Sequence, residues 1–363
     1  MMREIGSEFW LEYSKVDLTQ NRNDVFPMGD DNVYVLSGRT AIDFILDDIS
    51  TNVRSVYMPS YCCDSMLQPF VDRDIELYFY DVISSSVGLE YVVDHDKDVD
   101  LFFATSYFGY GCTTMDAYVE TFKSRNIVVI EDITHRLLCE RSHCKSADYL
   151  VSSLRKWFPI PSGGLAVKMN GRFRSRDLAP PPVELLSKKV RAMRKKAEYI
   201  KSTKKQNNEH DKRQFLELYS QFNQSLRFNY KRQGMDDLSL RLMSTLDISS
   251  IQTKRRSNAQ YVYAKLENFT HIKPLIAKPD FTQDCPLFVP IMIRADQRDN
   301  LRDYLVRNNV FCPIHWPVSE RVVLSPRSTI LYAEELSLIC DQRYSNTVLE
   351  RLLNLLGEFE STI

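Results

Sequence analysis

The strongest constraint on this chain is the alternation, through its first half, of short buried-type apolar runs with stretches of helical period. Val53–Met58, Ile75–Tyr80, Val99–Ala104 and Ile127–Ile130 are rich in Val, Ile, Phe and Tyr and too short for helices, so they predict strands. Tyr149–Ser153 and Gly164–Lys168 continue the series, the second after a Gly-Gly turn. Asp31–Ser50 predicts a short lead-in, the turn Ser37-Gly38-Arg39-Thr40, and a helix in which Ala41, Phe44, Ile45 and Ile49 recur at helical spacing. Ser60–Val71 and Met115–Arg125 predict two more helices. Such alternation is expected to give an α/β fold, a mostly parallel sheet between helices. Ligands of these sheets bind beyond the carboxyl ends of the strands. Here those ends carry Tyr107, Asp132 and the pair Ser152-Ser153.

The pattern breaks at Pro180-Pro181-Pro182. Lys188–Arg213 then carries 11 Lys or Arg against 3 acids, which predicts a long charged helix or helical arm. A nucleic-acid patch is the rarer meaning of such a run, and a solvated face the commoner one. Asp237–Phe269 predicts one long helical stretch. Beyond it, Phe288–Ile293, Gln297–Asn308, Val310–Cys312 and Leu349–Phe359 predict strand, helix, strand, helix. The expected organisation is a large domain over residues 1–245, with a basic helical arm at about 183–235, and a smaller C-terminal α/β domain over 246–363.

Composition removes several classes. The 47 basic and 48 acidic residues leave a formal charge of −1, so there is no global pull toward nucleic acid or an anionic membrane. With 44% hydrophobic and 11% aromatic residues the chain cannot be broadly disordered. Its apolar runs, such as Leu287–Ile293, are far shorter than the roughly 20 residues of a membrane span. Arg3, Glu4 and Glu8 fall where a signal peptide would be apolar, so a cytoplasmic protein is expected. The eight cysteines form no CxxC pair. Cys139 and Cys144 flank His143, but a second ligand pair is missing, so reduced thiols and no metal are expected.

The residues that could do chemistry form an ordered set. Asp132 ends one predicted strand, and Lys156 follows the end of another. A lysine amine can condense with an aldehyde, and a carboxylate against a pyridine nitrogen keeps that nitrogen protonated, so the ring draws electrons from an attached carbon. Pyridoxal 5'-phosphate needs that pair, and a cradle for its phosphate. Ser37-Gly38-Arg39-Thr40 at a helix start is the candidate cradle, since backbone N–H groups and the helix dipole favour an anion there. Each member has an ordinary reading as well: Gly38 and Thr40 as a turn and cap, His135 as a core histidine, Cys62-Cys63 as packing.

The run from Tyr107-Phe108-Gly109 through Met115-Asp116-Ala117 to Glu131-Asp132-Ile133-Thr134-His135 resembles the central stretch of the DegT/DnrJ/EryC1/StrS aminotransferases, fold-type-I pyridoxal-phosphate enzymes that act mostly on nucleotide-linked keto sugars. Ser37 through Ile42, Met58-Pro59-Ser60-Tyr61, the block from Ser152 to Val167, Arg255 through Tyr261, and His315-Trp316-Pro317 are similar to further family segments. The resemblance implies a fold-type-I large domain with a smaller C-terminal α/β domain. It implies that Lys156 bonds the cofactor aldehyde and shuttles the proton, that Asp132 pairs with the ring nitrogen, and that His135 bonds the phenolic oxygen. Gly38, Arg39, Thr40 and one of Ser152 or Ser153 would hold the phosphate. Tyr61 or Cys63 stands where the family stacks an aromatic on the ring, and Tyr107 and His315 would face the substrate. The implied reaction moves an amino group, from glutamate by analogy, to a keto sugar nucleotide in aminosugar or surface-polysaccharide biosynthesis, by a homodimer that binds neither nucleic acid nor membrane. Four departures from the family pattern are visible: Cys63 where an aromatic is usual, Arg39 in the phosphate turn, a shortened spacing from Ser152 or Ser153 to Lys156, and Trp157-Phe158-Pro159 directly after the lysine. Cys63 and the Trp157-Phe158-Pro159 segment keep open a second reading, a pyridoxal-phosphate fold used as a binding or regulatory protein with little turnover.

Overall fold

A computed structural model describes residues 4–11, 25–49, 52–111, 113–202 and 208–363. Arg3, Ser50, Cys112 and residues 203–207 of the basic stretch lie outside the described residues. In chain order the first elements are β1 (Ile5–Gly6), β2 (Asp31–Val35), α1 (Gly38–Asp48), β3 (Ser55–Pro59), α2 (Asp64–Val71), β4 (Glu76–Ser84), β5 (Leu89–Val92), β6 (Leu101–Thr105) and α3 (Thr113–Ser124). Then come β7 (Val128–Asp132), β8 (Tyr149–Ser152), β9 (Gly164–Lys168), α4 (Val183–Lys201), α5 (Asn208–Leu226), α6 (Asp237–Ser244) and α7 (Ile248–Leu266). The chain closes with β10 (Lys273–Pro274), β11 (Val289–Met292), α8 (Ala295–Arg307), β12 (Val310–Phe311), α9 (Pro326–Glu334), β13 (Glu335–Leu338) and α10 (Asn346–Glu360). Two units emerge, one from Met1–Ser7, Asn52–Ala147 and Asp247–Ile363, the other from Glu8–Thr51 and Asp148–Leu246.

In the first unit β7, β6, β3 and β4 run parallel in that order, and β5 adds antiparallel to β4. Every residue of β6, Leu-Phe-Phe-Ala-Thr, is buried, as a strand covered on both faces requires. The register sets Thr105 beside Asp132, so β6 and β7 end level. A second, antiparallel sheet of β10, β11 and β13 carries its own apolar core, with Leu266, Ile291, Leu305, Leu336 and Leu352 among its members. Strand β1 pairs with β12.

In the second unit β9 lies between β2 and β8, antiparallel to both, and α1 packs against β8 and β9. Helices α4 and α5 pack on each other. Leu36, Leu185, Phe222, Leu226 and Tyr230 form one of this unit's apolar clusters. Two of the basic residues point inward here. Lys189 is buried and bonds the Glu8 carboxylate at 2.8 Å; Lys196, also buried, donates to the Glu8 carbonyl at 2.6 Å.

Several boundaries differ from the sequence reading. The helix expected from residue 60 begins at Asp64, because the chain bends at Ser60 and Tyr61 past β3 and Cys63, the residue before the first turn, is extended. The stretch 237–269 is two helices, since the Asp247 carboxylate accepts from the Ser250 N–H and starts a new one. The lead-in at 31–35 is strand β2, and β5, β10, α9 and β13 are additional. Among the described residues no helix is long and apolar enough to cross a membrane.

Candidate active site

The carboxyl ends of β3, β6 and β7 in the first unit gather an aromatic and acidic cluster. Asp132 is buried, and its Oδ1 accepts from the Thr134 N–H at 2.8 Å, which fixes the carboxylate at the strand end. One turn on, His135 is buried with Nδ1 accepting from the Phe108 N–H at 3.1 Å. Neutral His135 therefore carries its proton on Nε2. The loop that presents that N–H is left-handed at both Phe108 (φ 61°) and Gly109 (φ 87°). A Cβ on Gly109 would stand 2.1 Å from the Cys285 carbonyl oxygen, so only glycine fits.

Tyr61 is fully buried, with its ring centroid 5.4 Å from Tyr107, 5.2 Å from Trp316 and 4.8 Å from Tyr332. The Tyr107 hydroxyl donates to the Tyr61 carbonyl at 2.6 Å. Cys63 is only partly buried; its thiol lies 2.8 Å from the Ser65 hydroxyl. His315 joins the cluster from the C-terminal part of the chain, with its ring 5.7 Å from His135 and 5.1 Å from Trp316. Glu335, which the sequence reading did not single out, anchors it. This fully buried carboxylate accepts from the Tyr61 hydroxyl and the His315 N–H, each at 3.2 Å, and from Ser337 at 2.6 Å. Burial pushes its pKa up to about 7. Alternation of Glu335 and Ser337 with Leu336 and Leu338 was the available signal for a half-polar strand.

Behind the cluster, Glu131 faces away from Asp132 into a charge network. The Arg136 guanidinium bonds Glu131 at 2.7 Å and Asp116 at 3.1 Å, and the Cys144 N–H donates to the other Glu131 oxygen at 2.8 Å. These contacts pin the turn that carries His135.

The other predicted residues belong to the second unit. Ser37 caps α1: its Oγ accepts from the Thr40 N–H at 3.2 Å and lies 2.9 Å from the Thr40 hydroxyl. Gly38 opens the helix, and a Cβ there would stand 3.0 Å from the Ser153 Cβ. Gly164 is closer still, its Cβ position 2.1 Å from the Ser37 carbonyl oxygen. Gly38 thus meets Ser153, just past the end of β8, and Lys156 completes the short 3₁₀ turn Leu154–Lys156 that follows it. The Ser152 hydroxyl is buried and makes no hydrogen bond within the described residues. Arg39 lies over the Tyr230 ring, 5.5 Å from its centroid. A helix start, a glycine that lets the backbone come close, and a buried hydroxyl awaiting a partner suit a phosphate group. The structure therefore assembles the sequence-predicted residues as two sets: Tyr61, Tyr107, Asp132, His135 and His315 in one unit, and Gly38, Arg39, Thr40, Ser152, Ser153 and Lys156 in the other.

No family model and no curated protein matches the sequence. Solved structures do match the fold. The aminotransferase TlmJ from Streptoalloteichus hindustanus is similar at a TM-score of 0.65 and 15% identity, with 91% of this chain and 86% of that one covered. A sugar aminotransferase from Streptococcus pneumoniae described as putative, Spr1654 in its PLP form, gives 0.64 and 14%, covering 92% and 88%. PseC from Helicobacter pylori, an aminotransferase of pseudoaminic acid biosynthesis, gives 0.61 and 11%, covering 92% and 88%. This chain has their fold. The expected α/β architecture of fold type I is borne out.

Proposed function

We propose that this chain is a pyridoxal-5'-phosphate-dependent aminotransferase. It transfers an amino group from an amino acid, with glutamate the first donor to test, to a keto sugar nucleotide. The reaction belongs to aminosugar or surface-polysaccharide biosynthesis in the cytoplasm. The observation that carries this reading is the fold shared with sugar aminotransferases over nearly the whole chain. The buried Asp132 at the end of β7 and the glycine-opened start of α1 support it.

The bound cofactor supplies an aldehyde that takes up amines and a protonated ring that draws off electron density. Lys156 Nζ would be the amine that holds the cofactor and carries the proton. Asp132 keeps the ring-nitrogen proton in place, since an anion beside a cation favours the charged form. His135, with its proton on Nε2, would be the donor to the phenolic oxygen. Gly38, Arg39, Thr40 and one of Ser152 or Ser153 bind the phosphate, with the unpartnered Ser152 hydroxyl the better placed to accept that role. Of the two stacking candidates, Tyr61 has the aromatic face that Cys63 lacks. Tyr107 and His315 face the sugar. Residues 1–245 serve as the cofactor domain and 246–363 as the smaller domain of a homodimer.

An absorption spectrum of the purified protein after incubation with pyridoxal 5'-phosphate tests this. A visible band is expected, to be bleached on titration with glutamate or another amino donor. Lys156→Ala is expected to lose the band and to lower turnover by at least about 10³-fold. A Lys156→Ala protein that transaminates at the wild-type rate overturns the assignment.

A further inference from the structure

Glu335 and Ser337 sit two residues apart on β13, so their side chains leave the same face of the strand. Both are fully buried. Glu335 Oε2 is taken by the Tyr61 hydroxyl and the His315 N–H. Oε1 receives the Ser337 hydroxyl at 2.6 Å, and Ser337 Oγ lies 3.0 Å from His315 Nδ1.

The order of donors in this chain follows from counting protons. A serine hydroxyl has one proton to give. While Glu335 is a carboxylate, that proton points at Oε1, so Nδ1 of His315 must donate to Ser337. His315 then has its lone pair on Nε2. His135 is set the opposite way, with Nε2 protonated. The two rings meet edge to face, 77° apart. When Glu335 is protonated, the direction reverses. Oε2 is already occupied by two donors, so the carboxyl proton sits on Oε1 and points at Ser337. Ser337 then donates to Nδ1, and His315 carries its proton on Nε2.

We infer that Glu335, Ser337 and His315 form a proton relay, with His315 Nε2 the end that meets the substrate and Glu335 Oε1 the buried end that holds the proton. A donor gives its proton to Nε2. The Nδ1–H bond breaks as Ser337 Oγ takes that proton, and the Ser337 O–H bond breaks as Oε1 takes its own. His315 stays neutral, and the negative charge passes from Glu335 to the donor. Run in reverse, the relay delivers a proton to an oxygen that leaves as water, which replacing a ketone by an amine demands. Glu335 and Ser337 are positioning residues; they act through His315. Naming the substrate oxygen rests on the aminotransferase reading, while the relay itself rests on the hydrogen bonds. The ionisable groups around Glu335 are Tyr61, His315, Arg298, which donates to the Glu335 carbonyl at 3.0 Å, and buried Cys312. A carboxyl at about 7 exchanges a proton with an imidazole at little cost.

The test is ¹⁵N NMR of the full-length protein labelled at histidine, with His315 assigned by His315→Gln. At pH 8.5 the expected neutral form of His315 has Nδ1–H, and Nε2–H gains population as pH falls toward 7. In Glu335→Gln the tautomer ratio is expected to lose this pH dependence. In Ser337→Ala it is expected to lose the Nδ1–H preference, and Ser337→Thr, which keeps the hydroxyl, should restore it. His315 held as Nε2–H at pH 8.5, or a ratio unmoved by Ser337→Ala, overturns the relay whatever the enzyme's substrate. In turnover, Ser337→Ala should lower kcat about 100-fold with KM little changed, and Ser337→Thr should recover most of it. The expected tautomers together with an unchanged kcat in Ser337→Ala would overturn the catalytic use of the relay. A protein inactive with every donor but showing the expected tautomers would overturn the aminotransferase reading alone.

Discussion

Gly109 carries more of the site than its size suggests. Its left-handed backbone lets Phe108 turn its N–H onto His135, and its missing side chain leaves room for the Cys285 carbonyl. Gly109→Ala combines a strained φ with a 2.1 Å clash against backbone, so it should cost about 2–4 kcal/mol. Urea unfolding monitored by tryptophan fluorescence checks this; a loss under 0.5 kcal/mol would refute it. The variant should also release the His135 tautomer. At this scale the sequence was partly legible. Asp132, His135 and Lys156 stand in an order that chemistry and family resemblance both mark. Glu335 did not stand out, because Glu334-Glu335 after an apolar run looks like the solvated end of a helix. Only the strand that begins at Glu335 turns that carboxylate into the core. Tyr61 and Cys63 could not be separated by sequence either, as burial divides them: the ring is enclosed and the thiol is partly open.

Helix α1 begins on a single hydroxyl. Ser37 Oγ satisfies the Thr40 N–H at the start of the helix. Ser37→Ala should destabilise the second unit by about 1 kcal/mol, the usual worth of such a cap. It should also weaken pyridoxal-phosphate retention, because it loosens the turn of Gly38, Arg39 and Thr40. Thermal unfolding and a cofactor-binding titration measure the two effects, and Ser37→Thr should rescue both. Elements of this unit and the other differed in how well sequence announced them. Parallel strands such as β6 are buried on both faces and read as unbroken apolar runs. Strand β2 alternates inward and outward residues and opens on Asp31 after Asp30, which blurs it into a lead-in. The helix break near 245 hides in an otherwise helical composition, although Asp247 three residues before Ser250 was a legible cap.

Across the whole molecule, two interior acids tie stability to pH. Burial raises both Glu131 and Glu335 to about 7, in the case of Glu131 against the pull of Arg136. In the unfolded chain each titrates near the ordinary 4.5. The folded state thus binds these protons more tightly. The stability they add is complete below about 4.5 and is lost as pH rises through 7. Between pH 5.5 and pH 8 each group should remove on the order of 2 kcal/mol. Urea unfolding at the two pH values should show that drop, and Glu131→Gln should shrink it; equal curves for wild type and variant would contradict the assignment. The division into units is the feature least visible in sequence, since each is stitched from segments that the chain visits at different times. Strand β1, at the very start, finds its partner in β12, and β11 is bordered by β13, which is made after it. A ribosome releasing this polypeptide therefore cannot hand over a finished first unit early. Its opening strand must wait, unpaired, until more than three hundred residues have followed it out of the tunnel. Nascent chains stalled before Val310 should accordingly remain sensitive to protease and dependent on chaperones, and those released past α10 should not.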